Sequence, residues 1–199
     1  MDIESIAGKL RQNTNPQRYE HSLRVAETAK ALAQRFGQDG ERAYLAGLLH
    51  DCAKHLSDEE TLRLAAQAGI RPDLAQAAVP RVLLHGPVGA VLACTLYGVT
   101  DEAVLQAIAR HQSGAADMTP LDNLVRLSDM IEPGRSGGTA ETLRALAQRS
   151  PEAALLHGLR VKIPELIAQG RYLEHHLCAY YNQLLRHEEQ LAAQTSAEG

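Results

Sequence analysis

Two histidines and two aspartates, spread over three segments of the chain, have residue types that bind transition metals. They are His21, His50, Asp51 and Asp129. Two imidazole nitrogens and two carboxylate oxygens suit iron, manganese or zinc, and they leave coordination positions for water or a phosphate oxygen. A metal ion held in this way lowers the pKa of bound water toward neutrality, so hydrolysis at phosphorus is the chemistry we expect.

His50 and Asp51 are adjacent in a segment, residues 45–53, whose other residues are apolar or small. A helix that is apolar on every side is normally buried. Burying an unpaired aspartate is unfavourable by several kcal/mol. The pair therefore requires hydrogen-bond partners, a counter-charge or a metal ion.

His21 and Asp129 are predicted to face the same interior. His21 shares a helical stripe with Val25 and Leu32, and Asp129 lies four residues after Val125. Each side chain is therefore on the face that its helix turns inward. Taken singly, each ligand candidate is more simply a core histidine or one partner of a buried salt bridge. Four inward-facing polar residues together favour a metal centre.

The elements that position these residues are predicted to be helices. Asn15 precedes Pro16 as an N-cap precedes a first helical residue, and Ser57 forms a capping box with Glu60. Glycines mark several helix ends. The predicted helices cover residues 16 to about 36, 39 to about 53, 57–69, 87 to about 97, 100–111 and 119 to about 132, with two or three more between 140 and 193.

The composition favours one all-α domain. The chain has 199 residues, 45% of them hydrophobic, with no tryptophan and one phenylalanine. These aliphatic residues suffice for one hydrophobic core, and they favour packed helices over a β-sandwich. We expect a single-domain helical bundle over residues 1–199 with a buried metal site. Residues 70–84 give no clear pattern, and residues 194–199 are predicted to fray.

The overall charge does not indicate that the protein binds duplex nucleic acid. The net charge is −4 and the pI is about 6.1, whereas DNA binding needs a basic face or stripe. No apolar run is long enough to cross a bilayer and the N-terminus does not look like a signal peptide, so we expect a cytoplasmic protein. The three cysteines form no CxxC pair and indicate no thiolate zinc site. An Ala- and Leu-rich helical surface makes a homodimer reasonable.

The order of the four candidate ligands resembles the HD superfamily of metal-dependent phosphohydrolases, which is named after the central His-Asp pair. The motifs RYEHSLRVA, AGLLHDCAK and DMIEPGR around the ligands are similar to those of the bacterial HD-domain diadenosine tetraphosphate hydrolases of the YqeK type. The segments HGPVGA and HQSG, which begin at His85 and His111, also look like that family. The resemblance marks residues 16–136 as the metal-binding core, followed by the helices of residues 140–193.

The resemblance implies an iron-dependent enzyme that cleaves dinucleoside polyphosphates symmetrically, so that diadenosine tetraphosphate and water give two ADP. We expect iron, with manganese and zinc as alternatives, and one ion rather than two. The last third departs from the family pattern. The family tends to carry a Pro- and His-containing segment before a Tyr-Asn pair and commonly uses it to hold the nucleoside, whereas this chain reads RYLEHH. His175 and His176 are candidates for lining a nucleoside pocket.

Five polar residues near the ligands are candidates for phosphate binding or catalysis. Arg18 and Lys54 each lie three residues from a predicted ligand, within reach of a bound polyphosphate. Arg135 follows a ligand helix in a Gly-rich loop, where it could clamp phosphate. His85 and His111 resemble family positions that bind phosphate, protonate the leaving group or hold a second metal. Surface cations, a flexible loop and a core histidine are the plainer alternatives.

Three other functions stay open at this point. An HD-type phosphohydrolase of simpler nucleotides would use the same metal chemistry. A non-catalytic nucleotide-sensing module on an HD scaffold would usually have lost a ligand, and all four are present here. A di-iron oxygenase needs two ions, for which the four ligands together with His85 and His111 would suffice.

Overall fold

The computed structural model describes residues 2–70 and 83–197, and every regular element in those two ranges is a helix. The predicted all-α class is therefore confirmed. None of these helices is both long and apolar enough to cross a bilayer. In chain order they are α1 (Ile3–Asn13), α2 (Pro16–Arg35), α3 (Gly40–Leu49), α4 (Asp58–Gln67), α5 (His85–Thr95), α6 (Glu102–Arg110), α7 (Pro120–Ile131), α8 (Gly138–Ala147), α9 (Pro151–Ala168) and α10 (His175–Ala197).

Side-chain caps fix the starts of several predicted helices. Asn15 caps α2 directly before Pro16. Ser57 and Glu60 form the capping box of α4, and Thr119 caps α7. These starts are confirmed because a short polar side chain satisfies backbone N–H groups that have no partner inside the helix.

α3 ends earlier than predicted, and this places His50 and Asp51 just beyond a helix end. The last helical residue is Leu49. The backbone continues in tight turns, in which the Cys52 N–H bonds the Leu49 carbonyl and the Lys54 N–H bonds the Asp51 carbonyl, both at 3.0 Å. Adjacent side chains on a regular helix diverge by about 100°. The turn allows the side chains of both His50 and Asp51 to reach one site. No glycine or proline in the sequence marks the position of this turn.

Four other boundaries differ from the prediction. α1 was not predicted, α5 begins two residues early at His85, and α10 continues to Ala197 instead of fraying. α6 is capped by Asp101 rather than by Thr100, since the Asp101 carboxylate accepts two backbone hydrogen bonds. Two cap-forming residues stand side by side here, and sequence alone does not rank them. Most of the unassigned segment falls in residues 71–82, outside the described residues.

The close approach of α2 and α3 builds the centre of the fold. α2 packs on α3 and α7, and α3 also packs on α6 and α7. A Cβ added to Gly47 of α3 would lie 2.9 Å from the Ala26 Cα of α2, and Ala26 and Ala43 are fully buried. These small residues let the two backbones come near contact, which brings His21 on α2 next to His50.

Replacing Gly47 with alanine is expected to lower the free energy of unfolding by about 1–3 kcal/mol. The added methyl group would meet the Ala26 backbone, which moves aside only if α2 and α3 separate. Urea denaturation followed by circular dichroism measures the change. Gly8→Ala on α1 is the control, since no atom of the described residues outside that helix lies within 4 Å of its added Cβ. Equal stability of wild type and Gly47→Ala would contradict this account.

Candidate metal centre

The four predicted ligands converge where α2, the end of α3 and α7 meet. His21 Nε2 lies 3.1 Å from Asp129 Oδ1 and 3.9 Å from Asp51 Oδ2. His50 Nε2 lies 3.4 Å from Asp51 Oδ1 and 3.8 Å from Asp129 Oδ1. The side chains of His50 and Asp51 are buried, and those of His21 and Asp129 are mostly buried. The structure thus brings the four side chains together, and their role as ligands stays a prediction.

The polar atoms at the middle of this cluster suit a cation. His50 Nε2 is buried and has no hydrogen-bond partner among the described residues. Asp51 Oδ1 is contacted by the Lys54 ammonium group at 2.8 Å but makes no hydrogen bond of good geometry. A buried polar atom left without a partner costs about 1–3 kcal/mol. A metal ion would satisfy the imidazole lone pair and the carboxylate oxygen together, so the residues fit the implied group.

Hydrogen bonds from the far side of the rings turn the Nε2 atoms toward the centre. His50 Nδ1 lies 2.7 Å from the Gly47 carbonyl, and His111 Nδ1 lies 2.8 Å from the Ile108 carbonyl. A carbonyl oxygen only accepts, so each Nδ1 donates, and in the neutral ring the Nε2 lone pair is free to bind metal. His21 Nδ1 contacts the carboxylate of Glu132 at 3.1 Å in the same manner.

Glu132 is a functional residue that sequence reasoning missed, although it stands within the DMIEPGR motif. Its buried carboxylate contacts His21 and receives a hydrogen bond from Arg24 Nε at 2.6 Å and another from the Gly134 N–H. Burial opposes its ionisation, but Arg24, Gly134 and His21 outweigh that effect and lower the pKa of Glu132. A carboxylate behind a ligand histidine orients the ring and raises its basicity. Its position three residues after Asp129, on one helical face, was the available signal.

His85 and His111 lie next to Asp51 on the side away from His21. Their Nε2 atoms are 3.0 Å apart, and they lie 3.5 Å and 3.6 Å from Asp51 Oδ1. Two groups of ligand atoms therefore overlap at His50, and the atoms within each group lie within 4.8 Å of one another. The groups are His21, His50 and Asp129, and His50, Asp51 and His111.

The surroundings hold Asp51, Asp129 and His50 in the protonation states that metal binding requires, whereas the hydrogen bond with Asp129 raises the pKa of His21. Burial opposes the charge on Asp51, but His50, His111 and Lys54 lower its pKa well below the usual range. The pKa of Asp129 is lowered in the same way against burial, chiefly by His21. Burial lowers the pKa of His50 to about 4. At neutral pH both aspartates are thus ionised and His50 is neutral.

The three predicted phosphate-binding cations surround the centre, and each contacts a ligand carboxylate. Lys54 Nζ lies 2.9 Å from Asp51 Oδ2, and Arg18 Nη1 lies 3.4 Å from the same oxygen. Arg135 donates to Asp129 Oδ1 through Nη2 and to the Asp129 carbonyl through Nε. All three side chains stay partly exposed to solvent. They are within reach of an anion that approaches the ligands.

A groove leads away from the centre. It has a volume of about 540 Å³, it includes His111, Asp129 and Arg135, and α7, α8 and α9 form most of its walls. A second cavity of about 260 Å³ adjoins it and contains Tyr172 and Glu174 from the segment that departs from the family pattern. The shared wall consists of Gln112, Arg126 and Lys162. Arg171, Tyr172 and Glu174 of this segment line the cavity, and a role for His175 and His176 in a nucleoside pocket stays a prediction.

The fold and the ligand arrangement together define the class of protein. A model of the HD domain family matches residues 18–134. The chain belongs to this family, and the predicted resemblance to the HD superfamily is confirmed.

Individual relatives share most of their length with the chain. A protein from Staphylococcus aureus named bis(5'-nucleosyl)-tetraphosphatase, symmetrical, is 37% identical over 147 residues, which cover 74% of this chain and 75% of the relative. A protein of the same name from Halalkalibacterium halodurans is 36% identical over 84% of this chain and 89% of its own. The crystal structure of a predicted HD superfamily hydrolase involved in NAD metabolism from Clostridium acetobutylicum superposes with a TM-score of 0.88 at 34% identity, covering 94% of this chain and 98% of that chain.

Replacing Glu132 with glutamine is expected to weaken metal binding by about 10- to 100-fold, because the neutral amide supports His21 less firmly. Competition with a fluorescent chelator measures the affinity of the purified protein for iron or manganese. Glu141→Gln on α8 removes one exposed carboxylate outside the site and serves as the control. Identical affinities for wild type and Glu132→Gln would show that His21 does not need this partner.

Proposed function

We propose that this protein is a metal-dependent phosphohydrolase that cleaves dinucleoside polyphosphates symmetrically, converting diadenosine tetraphosphate and water into two ADP. The observation that carries the proposal is the pair of overlapping ligand groups at His50, beside a groove that bears cations. The names of the relatives from S. aureus and H. halodurans support the substrate class. A simpler nucleotide is the alternative substrate, because the same metal chemistry serves both.

We assign the metal ion to His21, His50, Asp51 and Asp129, and we expect iron, with manganese and zinc as alternatives. Imidazole nitrogens and carboxylate oxygens suit all three ions. When bound, the ion supplies a Lewis acid and makes water a nucleophile near neutral pH. The remaining tasks fall to the side chains around it.

Lys54, Arg18 and Arg135 are the residues that we expect to bind the phosphates. Each contacts a ligand carboxylate and keeps part of its charged group exposed. A polyphosphate carries several negative charges, and these cations neutralise part of that charge at the open side of the centre. Their charge-assisted hydrogen bonds also fix the orientation of the phosphorus atom that is attacked.

His85 and His111 are suited to holding a proton beside the reacting phosphates. Because His111 Nδ1 donates a hydrogen bond to the Ile108 carbonyl, the Nε2 atom of His111 is an acceptor. It therefore accepts a hydrogen bond from the N–H of His85 Nε2, which lies 3.0 Å away. His85 Nε2 lies 3.5 Å from Asp51 Oδ1, and as an imidazolium His85 would give its Nε2 proton to the leaving phosphate oxygen and return to the neutral ring. The alternative role for the same two nitrogens is a second ion that shares Asp51 with the first.

The proposal takes residues 1–199 as one HD-type domain with a small-molecule substrate. α9 packs on α7, α8 and α10, so the C-terminal helices join the helix that carries Asp129. We expect the reaction to take place in the cytoplasm, without duplex nucleic acid or a membrane. Homodimer formation stays an expectation, which analytical ultracentrifugation measures.

Product analysis with diadenosine tetraphosphate and iron tests the cleavage pattern. We expect ADP as the only nucleotide product, because symmetric attack breaks the bridge between the second and third phosphates. Anion-exchange chromatography at low conversion measures the products. Equal amounts of ATP and AMP would contradict symmetric cleavage. Turnover of a nucleoside triphosphate but not of diadenosine tetraphosphate would establish the simpler substrate instead.

Removal of Asp51 tests the metal assignment and the number of ions. We expect one ion per chain in wild type and none in Asp51→Ala, which should also lose turnover, because Asp51 contacts both ligand groups. His111→Ala should keep the ion on the His21 side. Elemental analysis after gel filtration measures the content, and Asp117→Ala, which removes an exposed carboxylate, is the control. Two ions in wild type and one in His111→Ala would assign His85 and His111 to a second ion.

A further inference from the structure

The guanidinium group of Arg126 is a buried cation that has no carboxylate partner among the described residues. Arg126 lies on α7, about one turn before Asp129, and is only 9% exposed. Its Nη1 donates to the carbonyls of His111 at 2.7 Å and Gln112 at 2.6 Å, and the group stacks 5.3 Å from the Tyr180 ring centroid. Among the described residues, no carboxylate lies within 4.0 Å of its nitrogens, and its Nε has no hydrogen-bond partner.

Such a group is unfavourable unless something compensates its charge. Burial lowers the pKa of Arg126, yet a guanidinium group stays protonated in proteins. The two carbonyls and the aromatic ring offset part of the desolvation cost, but neither is an anion. Arg126 also lines both the groove and the adjoining cavity. The missing partner can therefore be a bound anion.

Two more cations line the cavity next to Arg126. Lys162 projects from α9, and Arg171 lies in the segment between α9 and α10. The ion pair of Lys162 with Glu165, at 3.3 Å, is exposed and therefore weak, so an anionic ligand can replace it. Glu174 is the acidic group of the cavity, where its Oε2 accepts a hydrogen bond from the His176 N–H at 2.7 Å and its Oε1 lies 3.1 Å from His175 Nδ1. Three cations face this one carboxylate, so the charge of the cavity lining is positive.

We propose that Arg126, Lys162 and Arg171 form a phosphate-binding subsite for the diphosphate of one nucleotide half of the substrate. The inference rests on the proposed function, because symmetric cleavage places the central phosphates at the metal centre and one half on each side of it. The groove is lined by residues that include His111, Asp129, Arg126 and Lys162, and the cavity that shares Arg126 and Lys162 with it also contains Arg171. A guanidinium group binds phosphate oxygens through paired N–H donors, and Lys162 adds a point charge.

The subsite should also hold the product ADP, so ADP binding tests it without turnover. Calorimetric titration of the metal-loaded protein with ADP gives the affinity. We expect Lys162→Gln and Arg171→Gln each to weaken ADP binding by about tenfold, which is the loss of one charge-assisted hydrogen bond, with unchanged metal content. Arg160→Gln is the matched control, since it removes a charge from α9 that faces Glu188 on α10 rather than the groove.

Arg126 needs a separate readout, because it also holds the backbone that carries His111. Arg126→Gln should weaken ADP binding by at least tenfold while the protein keeps its metal and its cooperative thermal unfolding. Weakening that only parallels metal loss would reduce Arg126 to a positioning residue and overturn its place in the subsite. Wild-type affinity for ADP in both Lys162→Gln and Arg171→Gln would overturn the subsite itself.

The outcomes separate this inference from the proposed function. If wild type fails to cleave diadenosine tetraphosphate but ADP binding still depends on Lys162 and Arg171, the subsite stands and the proposed reaction is wrong. If cleavage gives two ADP but the variants bind ADP as wild type does, the reaction stands and the subsite is wrong.

Discussion

The buried carboxylate of Asp51 is the constraint on which the rest of the structure depends. Three imidazole nitrogens lie within 3.6 Å of its Oδ1, and the Lys54 ammonium group lies 2.8 Å away. Removing a carboxylate from water is tolerable only when positive or proton-donating groups surround it. Those groups come from the ends of α3 and α6 and the start of α5. The helices must therefore meet at one point with little freedom, and the metal ion that we propose would complete the arrangement.

A series of contacts around the ligands supplies that precision. The contact at Gly47 sets the separation of α2 and α3, and Glu132 with Arg24 fixes the ring of His21 from behind. Backbone carbonyls at helix ends orient His50 and His111. Each contact is modest by itself. Together they hold imidazole rings in the orientation that ligation requires, which a set of ligands on flexible loops would not achieve.

Local charge, rather than net charge, suits this centre to the polyphosphate substrate that we propose. The chain carries a net charge of −4, yet cations from several elements point at the ligands and the groove beside them. Dissolved salt screens the interaction between exposed charges beyond about 10 Å. A ligand inside the groove therefore interacts mainly with the cations that line it. The HD domain family model matches residues 18–134, which include the four predicted ligands. The side chains of the groove are where a substrate preference of this particular chain would arise.

The sequence by itself determined the helical class, most helix starts and the four candidate ligands, because caps, aliphatic composition and polar residues in apolar segments are local signals. It placed Arg18 and Lys54 beside ligands by their helical spacing and Arg135 by its position in the loop after the Asp129 helix, and both signals are also local. The tertiary structure decided the end of α3, the support of His21 by Glu132, the pairing of His85 with His111, and the isolation of Arg126. These features arise from contacts between residues far apart in the chain, and the desolvation that gives them their energy exists only once the helices pack.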